Sequence, residues 1–285
     1  MSRLGLAVHR FRPDALEVAG RVISWATTNG YEVVVDESDL ASIRSDAVTR
    51  GDVGDVDVLV SIGGDGTMLR SVHVLNGRVV PLIGVNLGQL GYLAVVEDDE
   101  VIEALDVWHN GTEGTEYHYD DRMLLEVSMW ANGARLSNHL AMNEVVIEKS
   151  EAGHTVRLGV DIDKAMFTTY AADGLILATP TGSTAYSMSA RGPILSPRLR
   201  AILMTPVSPH MLFDRSMVLD PQELVRIEIL GHRSVNVATD GELVHTLRPG
   251  DVVEVRAAQE VARFVRFKEQ RFHQTLKSKF GLSDR

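Results

Sequence analysis

The amino-acid sequence predicts two domains, an α/β domain followed by a β domain. The chain has 285 residues, which is more than one domain of ordinary size contains. Its first hundred or so residues alternate between strand and helix patterns, which is typical of a doubly wound parallel sheet. Beyond about residue 112, short apolar runs separated by turn residues indicate a sandwich-like β domain.

The elements of the first domain follow from apolar periodicity and from helix-end signals. The run at 56–62 is almost continuously apolar, as expected of a parallel strand buried on both faces. The first helix should begin at Pro13 and end at Asn29 and Gly30, because proline favours a first turn and glycine follows a last one. The predicted strands are 4–8, 31–35, 56–62 and 79–85, and the predicted helices begin at Pro13, Thr67 and Asp98.

The second half contains two hairpin signals. Residues 131–134 read Ala-Asn-Gly-Ala, which is a strong turn signal between two extended segments. Residues 161–164 read Asp-Ile-Asp-Lys between two strand-like segments and predict a second hairpin. Further strands are predicted at 175–178, 201–205, 224–230, 235–239 and 252–255. The tail at 267–280 has the pattern of a basic amphipathic helix.

The composition and the charge of the chain exclude several kinds of protein and of site. The chain has no cysteine, which excludes disulfides, thiolate nucleophiles and cysteine-ligated metal sites. Its net charge of −11 argues against a nucleic-acid partner, although a locally positive cleft can still bind a small anion. No apolar stretch is long enough for a signal peptide or a membrane helix, so we expect a cytoplasmic protein without a membrane partner.

The most informative stretch is the strand that runs into Gly63-Gly64-Asp65-Gly66-Thr67. Glycine lets a backbone approach a ligand closely, and the start of a helix offers free N–H groups to an anion. Asp65 would then serve as a base or as a metal anchor beside a phosphate-bearing ligand. The pattern matches neither GxGxxG nor the P-loop, and it also fits a purely structural strand–turn–helix corner.

Three further stretches have a polar or glycine-rich pattern. Residues 181–189 carry six hydroxyl side chains, which could bind a polar ligand or could cap a helix of the chain itself. Asn143 and Glu144 head an apolar strand and could orient a sugar or an adenine edge. The glycines at 84, 88 and 91 suggest either a loop pressed against a ligand or a structural loop.

Taken together and in this order, these stretches resemble the NAD kinase family. The resemblance rests on Gly63 to Thr67, on residues 88–93, on Asn143-Glu144, on Asp173-Gly174 with residues 179–186, on residues 205–210 and on Asp240-Gly241. The Gly-Gly-Asp-Gly-Thr motif is not specific, because diacylglycerol kinases, sphingosine kinases and 6-phosphofructokinases carry a similar element. The run Thr-Pro-Thr-Gly-Ser-Thr-Ala-Tyr-Ser downstream of Asn-Glu is specific to NAD kinases.

The resemblance implies phosphorylation of the 2′-hydroxyl of the adenosine ribose of NAD to give NADP. The donor would be ATP or polyphosphate, with a divalent metal ion such as Mg²⁺. The implied fold is an N-terminal Rossmann-like α/β domain, a C-terminal β-sandwich-like domain, and an active site in the cleft between them. The implied boundaries are 1–112 for the first domain, 113–262 for the NAD-binding β domain, and 263–285 for a tail helix that returns to the first domain. A homodimer or homotetramer is expected.

The resemblance also implies roles for individual residues. Asp65 corresponds to the catalytic base. The implied substrate-binding residues are Gly66 and Arg70 near the diphosphate, Tyr92, Asn143 and Glu144 at the adenosine ribose, Asp173 near the nicotinamide, Thr184, Ala185, Tyr186, Ser187, Met188 and Ser189 around the adenine and ribose, and His154, Ala171, Ser208 and Glu242 elsewhere along NAD. The metal-binding residues are left open.

Two positions depart from the family pattern. Arg191 stands where the family usually has glycine, and Ala171 is small where some relatives carry arginine or lysine. Two other functions stay open at this point. One is a lipid or sugar kinase that shares the Gly-Gly-Asp-Gly element. The other is a non-catalytic NAD(P)-binding sensor, and Arg191 is the feature that favours it.

Overall fold

A computed structural model describes residues 2–43, 45–88, 91–268 and 271–282. The chain divides into two compact units. The first unit comprises residues 1–121 and 262–285, and the second comprises residues 122–261.

The first unit is built on a parallel sheet flanked by helices. Its strands pair in the order β3-β2-β1-β4-β5-β6, and every pairing is parallel. All six residues of β4 are buried, which confirms the prediction of a strand covered on both faces. The elements are β1 (Ser2–Val8), α1 (Pro13–Thr28), β2 (Tyr31–Val35), α2 (Glu37–Leu40), β3 (Val48–Arg50), β4 (Val58–Gly63), α3 (Asp65–Leu75), β5 (Leu82–Asn86), β6 (Val96–Glu97) and α4 (Val101–Asn110).

Helix α3 begins two residues before the predicted start at Thr67. Gly64 has extended backbone angles and acts as the N-cap, and its carbonyl accepts the N–H groups of Thr67 and Met68 at 3.0 and 3.1 Å. Asp65 is therefore the first helical residue, and it lies where the partial positive charge of the helix favours a carboxylate.

The second unit is built from antiparallel strands. Strand β7 begins, and strand β18 ends, with residues that belong to the first unit. The elements are β7 (His118–Ala131), β8 (Ala134–Ala141), β9 (Glu144–Lys149), β10 (Val156–Ile162), β11 (Ala165–Ala172), β12 (Gly174–Ala178), α5 (Tyr186–Ser189), β13 (Ile202–Val207), β14 (Met217–Leu219), β15 (Val225–Leu230), β16 (Val235–Thr239), β17 (Glu242–Leu247) and β18 (Val252–Arg266).

Two sheets pack face to face in this unit. One contains β11-β10-β15-β18, and the other has the order β14-β13-β12-β9-β16-β17. Alternate residues of strands from both sheets, such as Val145 and Ile147 of β9 and Leu158 and Val160 of β10, share one buried core. This period of two is the pattern of a sandwich, so the predicted α/β plus β fold is confirmed.

The tail forms a shorter helix than the sequence predicts. Helix α6 (Phe272–Lys279) occupies part of the predicted 267–280, and Lys277 and Lys279 lie in its last turn. Residues 269–270 of the predicted helix lie outside the described part of the chain. Within the described ranges, no helix has the length and hydropathy needed to cross a membrane.

Candidate active site

The carboxylate of Asp65 is bound by three consecutive backbone amides. Its Oδ2 accepts the N–H of Tyr92 at 2.9 Å, and its Oδ1 accepts those of Leu93 and Ala94 at 3.0 and 3.4 Å. Gly91 makes this possible, because an added Cβ there would lie 2.2 Å from Oδ1. The glycine at position 91 thus has a clear structural cause. Gln89 and Leu90 of the motif lie outside the described residues.

The glycines around Asp65 have two different roles. A Cβ at Gly63 would lie 2.2 Å from Oγ1 of Thr67, so Gly63 is required by packing inside the turn. Gly64 and Gly66 have open space where a Cβ would be. They line a cavity of about 480 Å³ at the carboxyl ends of β1 and β4, which is where parallel α/β sheets bind ligands.

Arg70 lies one helical turn beyond Asp65 and also lines this cavity. Its guanidinium donates to Oδ1 of Asp39 at 2.7 Å and to the carbonyl of Val8 at 2.7 Å. Asp39 is only 1% exposed and also accepts the Nε of Arg10 at 2.9 Å. No local pattern predicts Asp39 or Arg10 as site residues, because the buried contacts join residues that are about 30 positions apart.

Tyr92 contacts the tail of the chain. Its ring lies 6.2 Å from that of Phe272, and Nζ of Lys279 lies 4.3 Å from the ring centroid. Burial, and next the charge of Asp65, raise the pKa of the Tyr92 hydroxyl. The side chain is therefore held against α6 while its backbone holds Asp65.

In the second unit, the segment that leads into β9 is bound by Asp240. One carboxylate oxygen accepts the N–H of Met142 at 2.7 Å, and the other accepts those of Asn143 and Glu144 at 2.6 and 3.0 Å. Asp240 has a φ of 48° in the tight turn between β16 and β17, a conformation that Asp tolerates better than most residues. Asp240 belongs to the Asp240-Gly241 motif, for which the sequence predicts no residue role.

The same segment is bound from a second side. The hydroxyl of Thr179 donates to the carbonyl of Met142 at 2.6 Å, and the backbone N–H of Thr179 donates to the carbonyl of Asn143 at 2.9 Å. A Cβ at Gly182 would lie 2.0 Å from the Asn143 carbonyl oxygen. The position of Asn143 and Glu144 is therefore determined by two distant loops.

Glu144 is a buried acid at the start of β9. Its side chain is 6% exposed, and its Oε2 has no hydrogen-bond partner among the described residues. Burial, and next the charge of Asp240, raise the pKa of Glu144 to about 7, while the backbone N–H of Tyr186 acts in the opposite direction. The carboxyl can therefore exchange a proton, or accept a hydrogen bond from a ligand, near neutral pH.

Many hydroxyls of residues 181–189 bind the protein itself. Ser183 donates to the carbonyl of Pro180 and accepts the N–H of Leu195. Ser187 is fully buried and shares a hydrogen bond with Thr205. The hydroxyls of these two residues therefore bind the chain itself, which is the alternative to ligand binding that the sequence left open.

Other predicted residues of this loop are more accessible. Tyr186 and Ser189 are exposed, and Thr184, Ala185 and Met188 are half-buried. Tyr186 and Asp173 line one cavity of about 300 Å³, together with Lys149, whose Nζ lies 2.6 Å from Oδ1 of Asp173. Burial, followed by neighbouring acids, raises the pKa of the Tyr186 hydroxyl.

The remaining predicted residues are dispersed over the second unit. His154 is exposed in the loop before β10, and Glu242 is exposed at the start of β17. Ala171 is half-buried on β11, and Ser208 follows β13 with a φ of 46°.

Arg191, which replaces the usual family glycine, has a φ of 67°. This left-handed conformation costs most L-residues about 1 to 2 kcal/mol and costs glycine nothing comparable. The backbone at this position is therefore one that glycine prefers, and the arginine adopts it at a cost.

Among the described residues, no three or more His, Asp or Glu side chains are grouped so that they could hold a metal ion.

Comparison with known protein families matches both halves of the chain. Residues 4–112 match the model for the ATP-NAD kinase N-terminal domain, and residues 142–267 match that for the ATP-NAD kinase C-terminal domain. These matches define a phosphotransferase that acts on a nucleotide. The chain belongs to the ATP-NAD kinase family, and it is therefore an enzyme of the class that phosphorylates NAD to NADP.

Individual relatives agree with this assignment. NAD kinases of Syntrophotalea carbinolica and Heliobacterium modesticaldum are 37% and 35% identical to this chain, over 100% and 98% of both sequences. The crystal structure of yeast NADH kinase complexed with NADH matches with a TM-score of 0.90 and 27% identity, over 100% of this chain and 89% of that one. An NAD kinase from Archaeoglobus fulgidus in complex with ATP shares the fold, with a TM-score of 0.72 and 21% identity over 98% and 97% of the two chains.

Proposed function

We propose that this protein transfers the terminal phosphoryl group of ATP to the 2′-hydroxyl of the adenosine ribose of NAD, with Asp65 as the general base. The observation that carries the assignment of the base is the geometry of Asp65. Three backbone N–H groups hold its carboxylate in one orientation at the start of α3. A base fixed in this way loses little freedom when the hydroxyl arrives.

The proposed reaction needs one proton acceptor and one electrophile. Oδ2 of Asp65 accepts a single N–H from Tyr92, so a lone pair is left for the proton of the 2′-hydroxyl. As that proton moves to Asp65, the ribose oxygen forms a bond to the terminal phosphorus, and the bond to the departing ADP breaks.

Asn143 and Glu144 would bind the acceptor ribose. An amide side chain can donate to and accept from a hydroxyl, and the carboxyl of Glu144 has an oxygen without a partner among the described residues. The bonds from Asp240 and Thr179 support this role, because they hold the segment before the ligand binds. Asp173 and Tyr186, which share a cavity, would contact other parts of NAD.

We propose that a divalent ion binds together with the phosphoryl donor. Because the described residues do not group into a three-ligand site, the ion would be held chiefly by the phosphate oxygens, as Mg²⁺ often is. When bound there it would offset charge on the transferred group. A homodimer or homotetramer and a cytoplasmic location stay predictions, and light scattering of the purified protein tests the first.

The decisive experiment compares Asp65→Asn with the unchanged protein. With NAD, ATP and Mg²⁺, the unchanged protein should give a product that is one phosphate heavier than NAD. Asp65→Asn should bind NAD with similar affinity and lose about 10²- to 10⁴-fold in kcat. NADH and polyphosphate should be included as a second acceptor and a second donor.

A matched control is Asp99→Asn, which changes an exposed acid in the same unit. It should leave kcat unchanged. A rate for Asp65→Asn close to that of the unchanged protein would exclude Asp65 as the base. The absence of NADP with every donor would refute the proposed reaction and favour a non-catalytic binding protein.

A further inference from the structure

The three amides that bind the Asp65 carboxylate belong to an irregular segment. Residues 91–95 form neither a helix nor a strand. Leu93 and Ala94 are nevertheless almost completely buried, at 3% and 0% exposed. A helix or a strand fixes the direction of its N–H groups by its own hydrogen bonds, whereas an irregular segment needs other contacts to do so. The orientation of the Asp65 carboxylate therefore depends on the contacts that fix this segment.

Arg266, the last residue of β18, binds this segment at a carbonyl group. Its Nη1 donates to the carbonyl of Leu93 at 2.8 Å, and the contact is buried. Arg266 is itself only 3% exposed, and both residues belong to the first unit although they are 173 positions apart. A hydrogen bond from a charged donor is stronger than a neutral one, and burial strengthens it further.

The carbonyl that Arg266 binds shares a peptide group with one of the amides that bind Asp65. This group joins the carbonyl of Leu93 to the N–H of Ala94, which donates to Oδ1 of Asp65 at 3.4 Å. Because the peptide group is planar and trans, a contact that fixes its carbonyl also fixes the direction of its N–H. A cation at the carbonyl oxygen also polarises the group, which makes its N–H a stronger donor.

The guanidinium of Arg266 is itself held in one place. Its Nε donates to Oδ2 of Asp120 at 3.1 Å, and its Cζ lies 5.1 Å from the ring centroid of Phe264. Phe264 pairs in parallel with Leu82 of β5, so the end of β18 is anchored in the sheet of the first unit. The ion pair and the ring fix the plane of the guanidinium, and its Nη1 is presented to the segment in a defined direction.

We propose that Arg266 is a positioning residue for the general base Asp65 and that it acts through the peptide group of Leu93 and Ala94. This inference rests on the proposed function, in which Asp65 accepts the proton of the ribose hydroxyl. Packing alone does not account for an arginine here, because a buried charge costs stability and an apolar side chain of similar volume fills space as well. The contacts run from Asp120 to Arg266, and from there through the peptide group to Asp65.

The kinetic test combines Arg266→Gln with Asp65→Asn in a double-mutant cycle on the full chain. Arg266→Gln should lower kcat by about 10²-fold, because the carboxylate is then less well aligned. The KM for NAD should change by less than about threefold, since the ribose-binding Asn143 and Glu144 are unaltered. In the Asp65→Asn protein the same substitution should lower kcat by less than about threefold, because no base is left to align. An arginine with a merely structural role would lower kcat by the same factor in both proteins.

A second substitution keeps the test decisive if the glutamine variant does not fold. Arg266→Lys keeps a positive charge beside Asp120, but it lacks the planar fork that bonds Asp120 and Leu93 together. Its kcat should fall by about tenfold, and it then replaces the glutamine variant in the cycle. The matched control is Arg263→Gln. It removes from the same strand an arginine that pairs with Asp121 at 2.8 Å, and it should leave kcat unchanged.

Hydrogen exchange tests the positioning of the segment without the reaction. The amides of Leu93 and Ala94 should exchange at least about tenfold faster in Arg266→Gln than in the unchanged protein, because the segment opens more readily without its carbonyl contact. They should keep their exchange rates in Arg263→Gln. Mass spectrometry of the full chain without substrates measures both.

These measurements separate the role of Arg266 from the proposed function. Either an unchanged kcat or unchanged exchange rates in the Arg266 variant would overturn the inference, even if NADP forms. An equal loss of kcat with and without Asp65→Asn would also overturn it, because the arginine would then not act through the base. Faster exchange at residues 93–94 without NADP formation from any donor would support the positioning of the segment and refute the proposed reaction.

Discussion

The buried carboxyl of Glu144 should make the stability of the second unit depend on pH. Its side chain is 6% exposed, and burial together with the charge of Asp240 raises its pKa from the ordinary 4.5 to about 7. Replacing it by glutamine keeps the shape of the side chain and removes the titration. The pH dependence that Glu144 contributes should then disappear.

The sign and size of the pH effect on stability follow from the pKa values of Glu144 in the folded and the unfolded chain. Below pH 4.5 the group is protonated in both the folded and the unfolded chain, and its contribution to stability is fully present. Between 4.5 and about 7 the unfolded chain releases the proton while the folded chain keeps it, so stability falls as the pH rises. At about 1.36 kcal/mol per pH unit, the whole loss is about 3 kcal/mol.

The assay compares urea unfolding of the unchanged protein and of Glu144→Gln at pH 5 and pH 8.5. Hydrogen exchange at the amides of β9, followed by mass spectrometry along the urea series, reports on the second unit alone. The difference in unfolding free energy between the two proteins should grow by about 2 to 3 kcal/mol in favour of glutamine from pH 5 to pH 8.5.

Glu148→Gln is the matched control, because Glu148 is an exposed glutamate on the same strand. A substitution at such a surface position should change stability by less than about 0.5 kcal/mol at either pH. For each variant, the quantity compared is the difference in unfolding free energy from the unchanged protein. If this difference changes as little with pH for Glu144→Gln as for Glu148→Gln, Glu144 does not titrate near neutral pH and the reasoning from its burial is wrong.

Three further predictions concern the loops of the site. Gly91→Ala should lower kcat by about 10²-fold or more, because a Cβ 2.2 Å from the Asp65 carboxylate must displace it. Asp240→Asn, whose left-handed φ of 48° asparagine also tolerates, should cost about 1 to 3 kcal/mol in urea unfolding and raise the KM for NAD. Arg191→Gly should stabilise the protein by about 0.5 to 1 kcal/mol in the same assay, because glycine adopts a φ of 67° without strain.

These three predictions have their own controls. Gly20→Ala lies in α1 with open space around its Cβ and should leave kcat unchanged. Wild-type turnover in Gly91→Ala would show that Asp65 need not be held by residues 92–94. An unchanged KM for NAD in Asp240→Asn would contradict its role in positioning Asn143 and Glu144. A less stable Arg191→Gly would mean that contacts of the arginine outweigh its backbone strain.

Much of the fold could be predicted because its signals are local. The run at 56–62 is almost continuously apolar because β4 is covered on both faces. The period of two in β9 places Val145 and Ile147 in the core between two sheets. Pro13 and the Asn29-Gly30 pair bound α1 as expected, because they act through backbone angles of their own positions. The start of α3 was misplaced because the cap is Gly64, which offers no side-chain signal.

The sequence by itself determined the architecture and the family, since strand period, turn residues and the order of the motifs lie along the chain. The tertiary structure alone decided how the site residues are held. Asp240 binds amides 96 to 98 positions away, and Asp39 becomes a buried partner shared by Arg10 and Arg70. Glu144 acquires a pKa near 7 from burial and from a neighbouring charge. Burial and Coulomb interactions depend on distance through space, and no local pattern in the sequence specifies that distance.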